Sequence, residues 1–243
     1  GSRDPLKKEP PPPPPPPPPA TLNIDTAENI TLANLNGYTL TGTCSENGQA
    51  VILTYLSSSK NLVCSEQLWD SGPLDLSLAP DGSINFSVGH PEPESPAYVT
   101  ASATISKDTI APTISANITT AGTYTNNATI SHIVTFSEEV SISGQPRIEF
   151  LPDTSTGNAY AAFSEQTDAT NLIFAYTVRS GEEDLTGMDL AASIDLNGGS
   201  IADLAGNPAV LALSSTNMPT VFLDALGPSI TAVTVGSGNY SIG

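Results

Sequence analysis

The chain has 243 residues, with 7 basic against 25 acidic side chains, a net charge of −18 and a pI near 4.1. Only 13% of residues are charged and 38% are hydrophobic, while Pro and Gly number 22 and 19. A nucleic-acid backbone or an anionic membrane surface would repel such a chain, so neither is expected as a partner. No stretch reaches the roughly 20 apolar residues of a membrane-crossing helix, and nothing reads as the basic-then-apolar start of a secretory signal. The visible chain is therefore not expected to insert into a membrane.

Residues 1–20 are expected to lie outside any fold. Pro10–Pro19 is an unbroken proline run; each residue lacks an N–H and has φ fixed near −65°. Such a run takes the polyproline II form at about 3.1 Å per residue and spans roughly 30 Å. A ligand for an aromatic-lined groove and a stiff spacer are the two readings. The spacer is preferred, because nothing in the chain points to a groove-bearing partner. Arg3, Lys7 and Lys8 against Asp4 and Glu9 leave this segment slightly basic, and the remainder carries −19.

Beyond residue 20 the hydrophobic period is two. Thr39–Thr41, Val51–Tyr55, Ile84–Val88, Ile130–Phe136, Leu172–Val178 and Thr220–Leu223 are short runs rich in β-branched and aromatic residues. Turn-forming clusters separate them: Asn36-Gly37, Glu46-Asn47-Gly48, Pro80-Asp81-Gly82, Asn197-Gly198-Gly199 and Ala205-Gly206-Asn207. Short alternating strands between Gly, Asn and Asp turns predict an all-β chain of antiparallel sandwiches. The 223 residues after the first 20 exceed one sandwich of about 100 residues and suit two.

An internal repeat sets the boundaries. Asp108-Thr109-Ile110-Ala111-Pro112-Thr113-Ile114 recurs as Asp224-Ala225-Leu226-Gly227-Pro228-Ser229-Ile230, an offset of 116. Ala121-Gly122-Thr123-Tyr124 and Ser237-Gly238-Asn239-Tyr240 repeat at the same offset. The expected organisation is a spacer over 1–20, sandwiches over 21–107 and 108–224, and the opening of a further copy over 225–243, as in a tandem array.

The only cysteines are Cys44 and Cys64. An even count without metal-ligand spacing in a β-rich chain favours a disulfide and an oxidising compartment. Two buried free thiols are the alternative.

The segment Ile133-Val134-Thr135-Phe136-Ser137-Glu138-Glu139-Val140, followed by Gly144, Pro146, Leu172–Val178, Gly181, Asn197–Ile201 and Asp203-Leu204-Ala205-Gly206-Asn207, resembles the bacterial immunoglobulin-like repeat of large surface adhesins. Gly42–Gly48, Val63-Cys64 and Ser106–Thr113 are similar to a second variety of such repeat. The resemblance touches nearly all of 21–224. It departs from the pattern at Glu139, where Pro is usual, and in the long Ala209–Met218 stretch before the last strand. It implies tandem immunoglobulin-like sandwiches on a bacterial surface, extracytoplasmic and lipid- or wall-anchored, projecting a binding region from the cell. The alternative is direct binding of a host-cell, prey-cell or matrix protein or glycan through the end loops Gly89–Pro96 and Pro152–Asn158. Neighbouring repeats of the same protein are the other expected partners.

Phe136, Phe150, Phe174, Tyr176 and Phe222 read as core, Trp69 as the anchor of the first core, and Asp203–Asn207 as a turn. No nucleophile elbow, zinc-protease helix or phosphate loop is present, so no enzymatic activity is expected. His132 shares the parity of Ile130, Val134 and Phe136 and reads as semi-buried core. His90, in a Pro-rich stretch, reads as solvated, as do Glu138-Glu139 and Glu182-Glu183-Asp184. Lys60 and Lys107 are the lysines available for a covalent Lys–Asn cross-link, and both read as poorly placed for a buried bond. Calcium is the one cofactor to weigh: Asp108 and Asp224 sit at equivalent junctions, and hard cations take carboxylate and carbonyl oxygens. Junctional calcium occurs among the resembling adhesins, but no dense acidic loop is present. Plain surface acidity is the preferred reading.

Overall fold

The computed structural model describes residues 12–15, 18–91, 98–155, 157–234, 236 and 238. Parts of the proline run, of the 89–96 and 152–158 loops and of the 225–243 segment therefore lie outside the described residues. The chain divides into two compact units, Gly1–Thr109 and Ile110–Gly243. Both are all-β, and no helix is long and apolar enough to cross a membrane.

The first unit carries β1 (Thr41–Thr43), β2 (Ala50–Tyr55), β3 (Ser58–Val63), β4 (Leu68–Asp70), β5 (Gly82–Pro91) and β6 (Tyr98–Lys107). One antiparallel sheet runs β3-β2-β5-β6, and β1 pairs with β4 in the other. The entering chain first joins the second sheet: the Asn23 N–H donates to Thr43 O (3.0 Å) and the Asp25 N–H to Thr41 O (2.9 Å). It then crosses to the first, where Ile30 lies parallel to Lys107. A first segment shared between two sheets and parallel to the last strand is immunoglobulin-like topology.

Alternation builds the core. Val51 and Leu53 from β2 and Ile84, Phe86 and Val88 from β5 are buried, facing Leu40, Trp69, Leu74 and Leu76. Tyr38 and Tyr55 stack on Phe86 with centroids 6.3 and 5.8 Å away. Trp69 is buried as expected, and its indole N–H donates to Asn23 O (2.9 Å). The strand opposite it must carry glycine: a Cβ at Gly42 would meet the Trp69 ring at 2.6 Å and Asn23 O at 2.0 Å. The Thr39–Thr41 strand is displaced to Thr41–Thr43, with Tyr38 and Leu40 buried just ahead of it.

The second unit carries β7 (Ile114–Thr119), β8 (Gly122–Tyr124), β9 (Thr129–Phe136), β10 (Ser141–Ser143), β11 (Arg147–Leu151), β12 (Ala159–Gln166), β13 (Asn171–Thr177), β14 (Glu183–Asp184), β15 (Met188–Leu190), β16 (Ser200–Ala202), β17 (Asn217–Met218) and β18 (Val221–Asp224). A seven-stranded sheet runs β17-β15-β11-β12-β13-β9-β7, a three-stranded one runs β14-β18-β8, and β10 pairs with β16. Here too entry and exit run parallel, Val221 to Leu223 lying along Gly122 to Tyr124. Ile130, Val134, Phe136, Phe150, Leu172, Phe174 and Tyr176 fill the core. Phe222 is only half-buried; on β18 its neighbours Val221 and Leu223 take the inward parity instead.

The motif residues find physical reasons. Asn197 and Gly198 both have positive φ (48° and 80°), and the Gly199 N–H closes the turn on Leu196 O (2.8 Å). Gly144 and Gly199 touch: a Cβ at Gly144 would lie 2.7 Å from Gly199 Cα. Asp203–Asn207 is a self-closed turn, the Asn207 backbone N–H and side-chain amide each donating to an Asp203 carboxylate oxygen at 2.8 Å. The long Ala209–Met218 stretch runs back along the sheet through bridges Thr113↔Val210 and Ser193↔Ala212 before pairing as β17 with β15.

Cys44 and Cys64 form a disulfide with Cα atoms 5.9 Å apart. Cys44 follows β1 and Cys64 follows β3, so the bridge ties the two sheets of the first unit together. Its loop of 20 residues constrains the unfolded chain by about 3 kcal/mol. Replacing both cysteines by serine is expected to lower the first unit's unfolding free energy by about that amount, with the second unit's urea transition unmoved.

Candidate functional site

Asp108 and Asp224, the residues expected to hold calcium, occupy matching places in separate units. Asp108 follows β6 half-buried, and its N–H donates to Ile30 O (2.9 Å). Asp224 ends β18 exposed, opposite Glu183 on β14. Beside Asp108, Lys107 is buried. Its ammonium donates to Ala79 O (2.7 Å) and pairs with Asp81 (2.9 Å), which also accepts from Thr109. The Lys107 hydrogen bond is the leading cause holding the Asp81 carboxyl below its ordinary range. Lys107, read from sequence as poorly placed for a buried bond, is buried because its parity on β6 is the inward one and Asp81 supplies the counter-charge. Lys60 is half-buried on β3, where its ammonium reaches Pro73 O at 3.5 Å.

A dense polar cluster sits where β13 leaves the core of the second unit. Glu182 is fully buried, contrary to its expected solvation. Its carboxylate accepts from the Tyr176 hydroxyl (2.6 Å), the Arg179 backbone N–H (2.9 Å) and the Arg179 guanidinium (2.7 Å). Burial alone would raise its pKa, but the Tyr176 and Arg179 hydrogen bonds outweigh it and hold the carboxyl low. Burial and the adjacent carboxylate push Tyr176 up to about 12. The same guanidinium donates to Gly157 O and Asn158 O (both 3.2 Å), fastening the 152–158 loop. Asp184, also buried, accepts from the Gly187 N–H (2.9 Å). Glu182 was legible as a charge but not as an anchor, because its tyrosine and arginine partners come together only once the chain bends after β13.

Both histidines are fully buried. His90 corrects its expected solvation: β5 continues through it, paired with Val99, which turns its ring inward. Its Nδ1 faces Ala50 O (3.0 Å) and its Nε2 accepts from the Glu46 N–H (3.2 Å), so a ring proton on Nδ1 satisfies both contacts. His132 stands between Thr119 Oγ1 (2.6 Å from Nδ1) and the Asn117 amide (3.3 Å from Nε2). Thr119 donates onward to Met218 Sδ, leaving its oxygen to accept from Nδ1–H. Asn117 also donates to Ser215 O and accepts from Ser214 and Ser215, which pins the 209–218 stretch to β7. Burial drives the His132 pKa down to about 4.

Among the described residues no buried side-chain nitrogen or oxygen lacks a partner, and each cluster joins two backbone segments. Tyr98 at the start of β6 is exposed, whereas the Tyr160 ring on β12 is covered by the Arg147 guanidinium 3.9 Å from its centroid. One shallow hollow of about 500 Å³ was not signalled by the sequence; it lies on the first unit between Asp25, Gly42, Val63, Leu68, Trp69 and Asp70.

His132 gives the second unit an acid sensitivity of definite sign. Its folded pKa lies below the unfolded 6.5, so its contribution is complete above pH 6.5 and is lost as pH falls toward 4. The loss is about 3 kcal/mol. Urea unfolding at pH 7 and pH 4.5 is expected to show that slope in the native chain and a flatter one in His132→Gln.

No protein-family model matches the chain, and no curated protein matches it. Solved structures similar to it include three N-terminal domains of the bacteriophage RB49 Highly Immunogenic Outer Capsid protein (11% identity, 86% of this chain and 70% of that one, TM-score 0.42). Others are the fibronectin(III)-like modules of Clostridium thermocellum CbhA (12%, 84% and 93%, TM-score 0.34) and a chimeric titin Z1Z2-Z1Z2 tandem (10%, 86% and 100%, TM-score 0.27). Likenesses this distant leave the fold to be read from the chain's own strand pairing.

Proposed function

We propose that the chain is a load-bearing spacer of a bacterial surface protein, extracytoplasmic and non-catalytic, that presents a binding region carried elsewhere in an array of similar units. The observation that supports this most is the parallel pairing of entry and exit backbone in each unit, β8 with β18 and Ile30 with Lys107. Tension applied at the two ends of a unit pulls such neighbours in opposite directions along their length. Their hydrogen bonds then resist together in shear, rather than opening one at a time. The disulfide adds a covalent tie between the sheets of the first unit and suits an oxidising compartment. The acidic surface suits a protein that must stay soluble outside the cell.

Direct recognition of a protein or glycan is the second reading, placed at the Asp25–Trp69–Asp70 hollow, which exposed Val63 and Leu68 line together with Asp25 and Asp70. Calcium at Asp108 and Asp224 is the reading weighed against plain surface acidity, which is preferred.

Single-molecule pulling of the whole chain by its ends is expected to give two unfolding events. Gly122→Pro, which removes the β8 donor to Thr220 O (2.9 Å), is expected to lower the force of the second unit's event alone. An unchanged force would refute the shear reading. Calcium held by Asp108 would raise the melting temperature of the native chain at millimolar calcium, and less so in Asp108→Asn; plain surface acidity, the preferred reading, predicts no shift in either.

A further inference from the structure

Sheet edges invite pairing with other chains, and folded proteins blunt them with short strands, lysine, proline or bulges. Among the described residues, most strands ending a sheet here carry such a device. β1, β4, β8, β10, β14, β16 and β17 are three residues or fewer; β7 has a register shift between Ile114 and Ala116; and β3 carries Lys60. β6 differs. It is ten residues long, pairs with β5 along its whole length, and reads Tyr-Val-Thr-Ala-Ser-Ala-Thr-Ile-Ser from 98 to 106, without charge or proline. In a chain of net charge −18 that neutrality is notable.

The free side of β6 can be assigned by parity. The Ser106 carbonyl accepts from the Ile30 N–H and the Asp108 N–H donates to Ile30 O, both at 2.9 Å. Residues of even number therefore turn their backbone groups away from β5. Thr100, Ser102 and Thr104 present theirs in the same direction, where the entering chain has crossed to the other sheet. The core-facing side chains are correspondingly under-covered. Val99, Ala101 and Ala103 are half-buried, whereas their partners His90, Val88 and Phe86 on β5 are fully buried.

We propose that this edge pairs with the same edge of a second copy, antiparallel about a two-fold axis through Ser102. The sequence is self-complementary in that register. Thr100 faces Thr104 and Ser102 faces itself as hydrogen-bonded pairs, giving roughly six backbone hydrogen bonds. Val99 meets Ile105 and Ala101 meets Ala103 on the core-facing side, extending the apolar layer across the axis. Threonine and serine pairs form favourable cross-strand contacts on the outer side, and no like charges meet. A two-fold contact closes on itself, so the product is a dimer and not a fibre.

Sedimentation velocity on the whole chain, from micromolar to submillimolar concentration in 0.5 M NaCl to screen the net charge, tests this. The native chain is expected to pass from 25.0 kDa toward twice that mass. Ser102→Lys sets two lysines against each other at the axis, and Ser102→Pro removes only an outward-facing donor. Each is expected to weaken association at least tenfold while leaving the circular dichroism spectrum and melting temperature near native. Thr100→Lys with Thr104→Glu, which places opposite charges across the axis, is expected to dimerise at least as well as the native chain. A native chain monomeric throughout the range, or open-ended growth, overturns the proposal, as does dimerisation equally strong in both Ser102 variants.

Discussion

Each unit of this protein is closed by hydrogen bonds between backbone near where the chain enters and backbone near where it leaves. In the first unit the link is Ile30 against Ser106 and Asp108; in the second it is β8 against β18. A sandwich needs little else to define its limits. Once first and last segments are neighbours, the strands between them have only two sheets to fill, and alternation decides which side chains face inward. The disulfide, the Trp69 anchor and the buried Glu182 cluster are placed within that frame.

The two units solve the same problem with different materials. The first is small and relies on a covalent tie and one large aromatic, seated against a glycine because no other residue leaves room for it. The second is larger and lacks cysteine, and it spends buried polar groups on fastening irregular segments. Glu182 and Arg179 hold the 152–158 loop, and Asn117 with His132 and Thr119 holds the stretch before β17. Satisfied buried networks of this kind rigidify a fold at the expense of pH tolerance, since each depends on one protonation state.

The period-two runs located β2, β5, β9, β13 and β18 within a few residues, and the paired cysteines pointed to the bridge. The repeat glycines were visible as a pattern; their cause, the contact of Gly144 with Gly199, required three dimensions. Local reasoning erred where a side chain's environment is built by distant sequence. His90 looks solvated beside prolines, yet β5 carries it inward. Glu182 looks like a loop acid, yet the bend after β13 brings Tyr176 and Arg179 around it. Phe222 looks like core by size, and strand parity gives that place to Val221 and Leu223. The hollow beside Trp69 had no signal, because exposed Val63 and Leu68 are ordinary surface residues until the fold gathers them with Asp25 and Asp70 around it.

Closure of each unit by its own ends is open to direct measurement through amide hydrogen exchange on the intact chain. The amides of Ile30 and Asp108, which bond across the first closure, and of Gly122, which donates to Thr220 O at 2.9 Å in the second, are expected to exchange as slowly as those in the middle of β5 and β9. Exchange of these amides at the rate of exposed loops, with the central strands still protected, would contradict the account.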